Sequence, residues 1–252
     1  MNIKEEEKRE GFHVVDALLK HSPEIIKKIF IPDSRNDERL SSLVSAAESL
    51  SIDVEINKKI KQHPIAKITP QPTLGNKDLK EFIESSATKN PTLFIVDNII
   101  DPRNLGACIR SAVAANVDAI IINKHQCSPI TSTVRKVSCG GTEVGSIFMV
   151  SNLINVIKFL KDQGIEIIGT SEHSEDIYTS MDFNTPLALI VGSEETGIRQ
   201  KTLDACNHVV NLSDSELINS LNVSVASGVV LFEIKKHKSG FCLLYTSPSP
   251  RD

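Results

Sequence analysis

Apolar residues follow two rhythms along the chain. Near the start they repeat at helical spacing, and FHVVDALLK puts Val14, Val15, Leu18 and Leu19 on one stripe. IKKIFIP (26–32) reads as a short strand. NDERLSSLVSAAESL (36–50) reads as a helix with Asn36 as a candidate N-cap. IDVEI (52–56) alternates as a strand, PIAKI (64–68) is a further strand, and PQPTLGNK (70–77), with two prolines and a glycine, reads as a linker. After a helix at 78–87 the rhythm changes to continuous apolar runs separated by helices. The runs are TLFIVDN (92–98), AIIIN (119–123), IEIIGT (165–170), LALIVG (187–192) and HVVNL (208–212). The helices are LGACIRSAVAANV (105–117), VSNLINVIKFLKDQG (150–164) and SLNVSVASGVVLFEIKKH (220–237). Unbroken apolar strands alternating with helices predict an α/β fold with a parallel sheet covered on both faces, behind a smaller α/β unit.

The division expected is 1–69, a linker at 70–77, and a larger domain at 78–241. The remainder, CLLYTSPSPRD (242–252), changes character abruptly and resembles a translated transposon-type sequencing adapter, so it is read as a non-native tail. Composition narrows the function classes. Of the 252 residues 40% are hydrophobic and 24% charged, enough to bury a core. Lys+Arg number 28 against Asp+Glu 32, a net charge of −4, which excludes attachment to nucleic acid by bulk charge but not a local basic site. Five cysteines without a CxxC pair argue against a disulfide framework and for a reducing cytoplasm. MNIKEEEKREG has no apolar stretch after its charges, so no signal peptide is expected, and no run is long enough to cross a membrane. The seven histidines and the scattered cysteines show no ligand spacing, so no metal is expected. Cys108 and Cys139 read as small buried hydrophobes.

Three segments carry candidate chemistry. DNIIDPRNLGACIRSA (97–112) is a strand end, a loop with Asp101, Pro102 and Asn104, and a helix from near Leu105 that holds Arg110. That suits a ligand site at the carboxyl end of a parallel strand. An Asn N-cap and a surface Arg would leave the same pattern. LALIVGSEETGIRQ (187–200) runs an apolar strand into Gly192, Glu194 and Gly197, a tight loop that is neither GxGxxG nor a P-loop. A plain turn with an exposed Glu pair fits it too. SLNVSVASG (220–228) opens a helix with Ser220 and Asn222, which could cap it or orient a hydroxyl.

Together, in this order, the three segments resemble the SpoU-type methyltransferases, whose C-terminal polypeptide is tied in a trefoil knot. GFHVVDALL, RNDERLSSL, QHPIAKI, VRKVSCGG and SLNVSVASGVVLFE extend the resemblance over about residues 11–236, to the branch acting on the ribose of a guanosine in 23S ribosomal RNA. It implies an S-adenosylmethionine-dependent ribose 2′-O-methyltransferase, homodimeric, with no DNA or membrane partner. Its catalytic positions would be Asn104, Arg110, Glu194, Ser220 and Asn222. Its cofactor positions would be Thr170, Gly192, Leu212 and Leu221. Arg110 would hold the phosphate beside the target ribose, because a guanidinium stays protonated. Asn104, Ser220 and Asn222 would place the hydroxyl, and Glu194 would take its proton. Relatives usually carry Ile-Pro-Met and then Gly where this chain has Leu212-Ser213-Asp214 and Glu216, which adds acids near the expected cofactor.

The smaller unit resembles a ribosomal-protein-like RNA-binding fold. Lys58, Lys59, Lys61 and Lys67 with His63 would serve it, or form a solvated face. A dimer could gather Arg103, Arg110, Lys124 and Arg135 into a positive groove. The competing readings are the same chemistry on transfer RNA, whose relatives usually lack residues 12–69, and a non-catalytic RNA-binding ribosome assembly factor.

Overall fold

The computed structural model of the chain describes residues 6–33, 35, 37–213 and 221–239. The expected non-native tail, Asn36, Ser220, and Asp214 and Glu216 with their expected place near the cofactor lie outside the described residues.

The first layer pairs a four-stranded sheet with two helices. Its elements are β1 (Glu7–Glu10), α1 (Phe12–His21), β2 (Ile26–Ile31), α2 (Glu38–Ser49), β3 (Val54–Ile56) and β4 (Ile65–Ile68). The strand order is β1-β4-β2-β3, with β2 and β3 parallel and the other pairs antiparallel. The expected stripe of α1 (Val14, Val15, Leu18, Leu19) packs on Ile29, Leu40, Leu43, Ala47 and Ile68. The cap of α2 is Asp37, not Asn36: its carboxylate accepts from the Leu40 N–H at 2.9 Å, so the helix starts later than the pattern predicts. Strand β1 reads EKRE and has no apolar period to announce it. It forms because its backbone pairs with β4, and Arg9 turns inward to Glu7 and Glu143.

The second layer begins with α3 (Asn76–Ser85), inside the stretch expected as linker. Just before it, the Met149 N–H donates to the Leu74 carbonyl at 2.8 Å. Then come β5 (Thr92–Val96), α4 (Pro102–Ala114), β6 (Ala119–Asn123), α5 (Ser132–Ser138), α6 (Gly141–Val144) and β7 (Ile147–Val150). They are followed by α7 (Leu153–Asp162), β8 (Glu166–Thr170), β9 (Leu187–Val191), α8 (Gln200–Leu203), β10 (His208–Val210) and α9 (Val223–Ser239). The six strands are parallel in the order β10-β8-β9-β5-β6-β7. Every residue of β5, β6 and β9 is buried, as the continuous apolar runs predict. Alternate side chains feed two cores. Phe94 and Val96 meet Leu105 and Ile109 of α4 and Val230 and Ile234 of α9, whereas Leu93 and Ile95 meet Leu79 of α3 and Ile157 and Leu160 of α7.

The second layer departs from the sequence pattern at three more places. Helix α4 starts at Pro102, not near Leu105, because the Asp101 side chain caps it on the Arg103 N–H (2.6 Å) and proline suits the first helical position. Asn104 therefore stands in the first turn of the helix rather than in a loop. The helix expected from Val150 is split: β7 takes Val150, and Asn152 caps α7. Cys139 is half-buried at the end of α5 in a left-handed conformation, not a core residue. Among the described residues, no helix is long and apolar enough to cross a membrane.

After β5 the chain runs outward through β6 and β7, and after β9 it runs the other way to β10. The loops beyond β5 and β9 thus diverge and leave a crevice at the carboxyl ends of two adjacent strands.

Candidate active site

The crevice is built on Asp97, one residue past β5 and wholly buried. Its carboxylate accepts from the Arg199 N–H (3.0 Å) and Arg199 Nε (2.9 Å), and from Asn123 Nδ2 at 3.5 Å. Next to it, the Asn98 side-chain oxygen accepts from the Ser193 N–H (2.9 Å), and its Nδ2 donates to Thr196 Oγ1 (3.0 Å). The loop after β9 is therefore clamped at both ends to the loop after β5.

That loop folds back on itself. The Ser193 and Gly197 backbones exchange two hydrogen bonds of 3.2 and 3.0 Å. A Cβ on Gly192 would lie 2.1 Å from the Gly197 carbonyl carbon, so the close approach admits only glycine. The turn lifts Glu194 towards the start of α9. There Glu194 Oε1 accepts from Asn222 Nδ2 and from the Val223 N–H (3.2 Å). Asn222 Nδ2 also reaches Asn104 Oδ1 at 3.3 Å, while its Oδ1 accepts from the Ser224 N–H at 3.0 Å. Asn222 is thus both the cap of α9 and the link between two loops, which joins the two readings its sequence left open. A carboxylate at the helix N-terminus is favoured by the helix dipole as well.

Three of the five expected catalytic positions, Asn104, Glu194 and Asn222, therefore converge. Arg110 does not join them. It lies about 9 Å further along α4 and is turned to another face, exposed and without a hydrogen-bond or ion-pair partner among the described residues. Arg135, expected in a positive groove, instead bonds Glu143 Oε1 at 3.2 Å beside Arg9, and burial lowers its pKa.

All four expected cofactor positions, Thr170, Gly192, Leu212 and Leu221, line one cleft of about 300 Å³ together with Glu194. Its rim carries Glu172, Glu194 and Glu195, so it suits an extended ligand with positive charge. Strand β10 and the residue after it are stitched to the loop after β8: the Asn211 N–H donates to the Asp176 carbonyl (2.7 Å) and Ser174 Oγ to the Val209 carbonyl (2.6 Å). Cys108 sits under α9, 3.5 Å from Ser227 Oγ, and burial pushes its thiol up to about 11, which fits the inert role expected of it.

Sequence reasoning missed Asp97, Asn98 and Arg199. A polar pair directly after a fully apolar strand was the available signal, but the partner of Asp97 lies 102 residues away.

The chain matches the model of the SpoU rRNA Methylase family over residues 91–232 and that for RNA 2'-O ribose methyltransferase substrate binding over residues 10–73. It is 39% identical over 240 residues to the 23S rRNA (guanosine-2'-O-)-methyltransferase RlmB of Haemophilus ducreyi, covering 90% of this chain and 96% of the relative. RlmB of Haemophilus influenzae is 37% identical over 242 residues, covering 91% and 97%. Among solved structures, the SpoU methyltransferase AviRb from Streptomyces viridochromogenes, in complex with the cofactor AdoMet, matches with a TM-score of 0.76 at 17% identity, over 94% of this chain and 92% of that one.

Proposed function

The chain belongs to the SpoU rRNA methylase family, and from that premise we propose that it methylates a ribose 2′-OH, on a guanosine of 23S ribosomal RNA, from S-adenosylmethionine. The observation that carries the proposal is the convergence of Asn104, Glu194 and Asn222 on the mouth of the cleft lined by Thr170, Gly192, Leu212 and Leu221. The cofactor fits that cleft on two counts. Its volume of about 300 Å³ between the loops after β8, β9 and β10 suits an extended ligand, and Glu172, Glu194 and Glu195 on its lining suit a sulfonium and an ammonium. When bound, S-adenosylmethionine supplies an electrophilic methyl group.

The protein's own part is alignment and charge. A 2′-OH is a very weak acid, so its oxygen must be held in line while its proton leaves. Asn104 and Asn222 form the polar edge that orients the hydroxyl, with Ser220 two residues before Asn222 in the sequence. Glu194 contacts that edge and serves as proton acceptor, directly or through water. Arg110 holds the neighbouring phosphate and stabilises the developing alkoxide.

The family resemblance implies that Arg110 works beside the cofactor of a second copy, and its standing apart from the cluster in its own chain supports that reading. A homodimer is further supported by α9. Besides its buried side, this helix exposes Val225, Val229 and Phe232 along one stripe, with Leu221 exposed just before it. The loop after β5 adds Ile100, which is 76% exposed. The trefoil knot that the family implies would involve β10, at the sheet edge, and α9, packed against α4. Residues 1–69 form the RNA-binding domain and 78–241 the methyltransferase domain of a cytoplasmic enzyme.

Methyl transfer from labelled cofactor to unmodified 23S ribosomal RNA and to transfer RNA transcripts, with the product mapped, tests this reading. Label at one guanosine of the ribosomal RNA is expected. Label confined to transfer RNA, or none in either, contradicts it.

A further inference from the structure

Phe12 opens α1 almost wholly buried, yet its ring is covered by two guanidinium groups. Arg35 Cζ lies 4.4 Å and Arg39 Cζ 4.7 Å from the ring centroid. His63 meets the same ring edge-on at 6.3 Å. Arg35 donates to Asp37 and to the Gln62 carbonyl (3.2 Å), and so anchors the 57–63 loop that carries Lys58, Lys59 and Lys61. Arg39 Nη2 lies 3.2 Å from His13 Nε2, and both side chains are exposed. Asp37 keeps its charge, because the Leu40 N–H that it caps, and then Arg35, hold its carboxyl below the usual range. That carboxylate pairs with Arg35, while the Arg39 guanidinium has no carboxylate partner among the described residues. Two cations stacked on one ring repel each other until an anion joins them. A guanidinium held in place by a ring and a histidine is a preset fork for phosphate oxygens.

The position of the cluster is a separate observation. A Cβ on Gly140 would lie 2.8 Å from Ala17 Cβ and 3.0 Å from the His13 carbonyl oxygen. Gly141, next in the chain, faces Ile109 and Arg110: its Cβ would lie 3.6 Å from Arg110 Cα. A single two-glycine turn is wedged between the start of α1 and the helix turn that bears Arg110. The His13 and Arg110 backbones are thus separated by the thickness of one turn of chain.

We propose that Arg39, with His13 and Arg35, binds the phosphodiester backbone of the substrate RNA, so that one strand runs from the Phe12 cluster to Arg110. The inference rests on the methyltransferase reading for its substrate and adds the place where that substrate is held. Arg39 supplies binding that is the same before and during methyl transfer, so its removal falls on KM rather than on kcat.

The test uses the full chain with Arg39→Glu and the milder Arg39→Gln. RNA affinity is read by filter binding of an unmodified 23S fragment over a range of salt, cofactor affinity by calorimetry, and KM and kcat by methyl transfer. Arg39→Glu is expected to weaken RNA binding about 10-fold or more, and Arg39→Gln several-fold. The log–log salt slope becomes shallower by about 0.7–0.9 for each phosphate no longer neutralised. Cofactor affinity stays within about twofold, as expected for a group outside the cofactor cleft. RNA affinity and salt slope unchanged in both variants overturn the proposal, as does a weakening that appears equally in cofactor affinity. If the unaltered chain binds RNA but transfers no methyl group, the methyltransferase reading fails, and the Arg39 site is then judged by the salt slope alone.

Discussion

Asp97 has no solvent exposure, and its carboxylate is met by three donor groups of Arg199 and by Asn123. A buried carboxylate is tolerable only when so satisfied, and removing one partner of such a pair costs about 3–5 kcal/mol when both are buried, less here because Arg199 is 38% exposed on its side chain. Asp97 thus fixes the loop that presents Glu194 without itself lining the cleft. Its role was not legible in sequence, since nothing local ties position 97 to position 199. Asn104, Glu194 and Asn222 were legible as candidates through family resemblance. Their meeting was not, because 118 residues separate Asn222 from Asn104 and only the fold brings them together. At this scale Arg110 is the sharpest test. Arg110→Lys keeps the charge but loses the planar fork, so turnover is expected to fall about 100-fold or more while cofactor affinity by calorimetry changes less than about twofold. Turnover close to that of the unaltered chain would remove Arg110 from the reaction.

Elements were legible where the apolar period was strong. Strands β5, β6 and β9 and helix α7 announce themselves because each buries a whole run or a whole stripe. Strand β1 is all charge and exists through backbone pairing, which no hydrophobic pattern encodes. The short α5, α6 and α8 are too brief to display a helical period. Helix α9 is informative for the opposite reason. It is apolar on two sides, one buried in the core by Val230, Leu231 and Ile234 and one exposing Val225, Val229 and Phe232. A helix with two apolar sides has a second surface to cover. If the proposed homodimer pairs through this side, placing a charge there with Val225→Asp converts it to monomer by sedimentation and lowers turnover at least about tenfold, because Arg110 would then lose the partner's cofactor. A variant that remains dimeric, or a monomer with undiminished turnover, contradicts the arrangement.

Over the whole molecule, a net charge of −4 has to be reconciled with an anionic substrate. The structure separates the charges instead of averaging them. Acids rim the cleft suited to a cation, while Arg35 and Arg39 gather over Phe12 and Arg110 stands exposed on α4. The reversal of strand order between β5 and β9 puts the cleft where loops from two strands diverge, and the Gly140–Gly141 turn brings the smaller layer against the helix of Arg110. The sequence rhythm foretold both layers. It could not foretell their mutual packing, which depends on side chains far apart in the chain. The most direct test of the account is the chemical position of the transferred methyl. Ribosomal RNA labelled by the protein is digested in alkali, which needs a free 2′-OH to cleave the strand. The account expects the label in an alkali-resistant dinucleotide that begins with guanosine. Label released in mononucleotides, as from a methylated base, would contradict it.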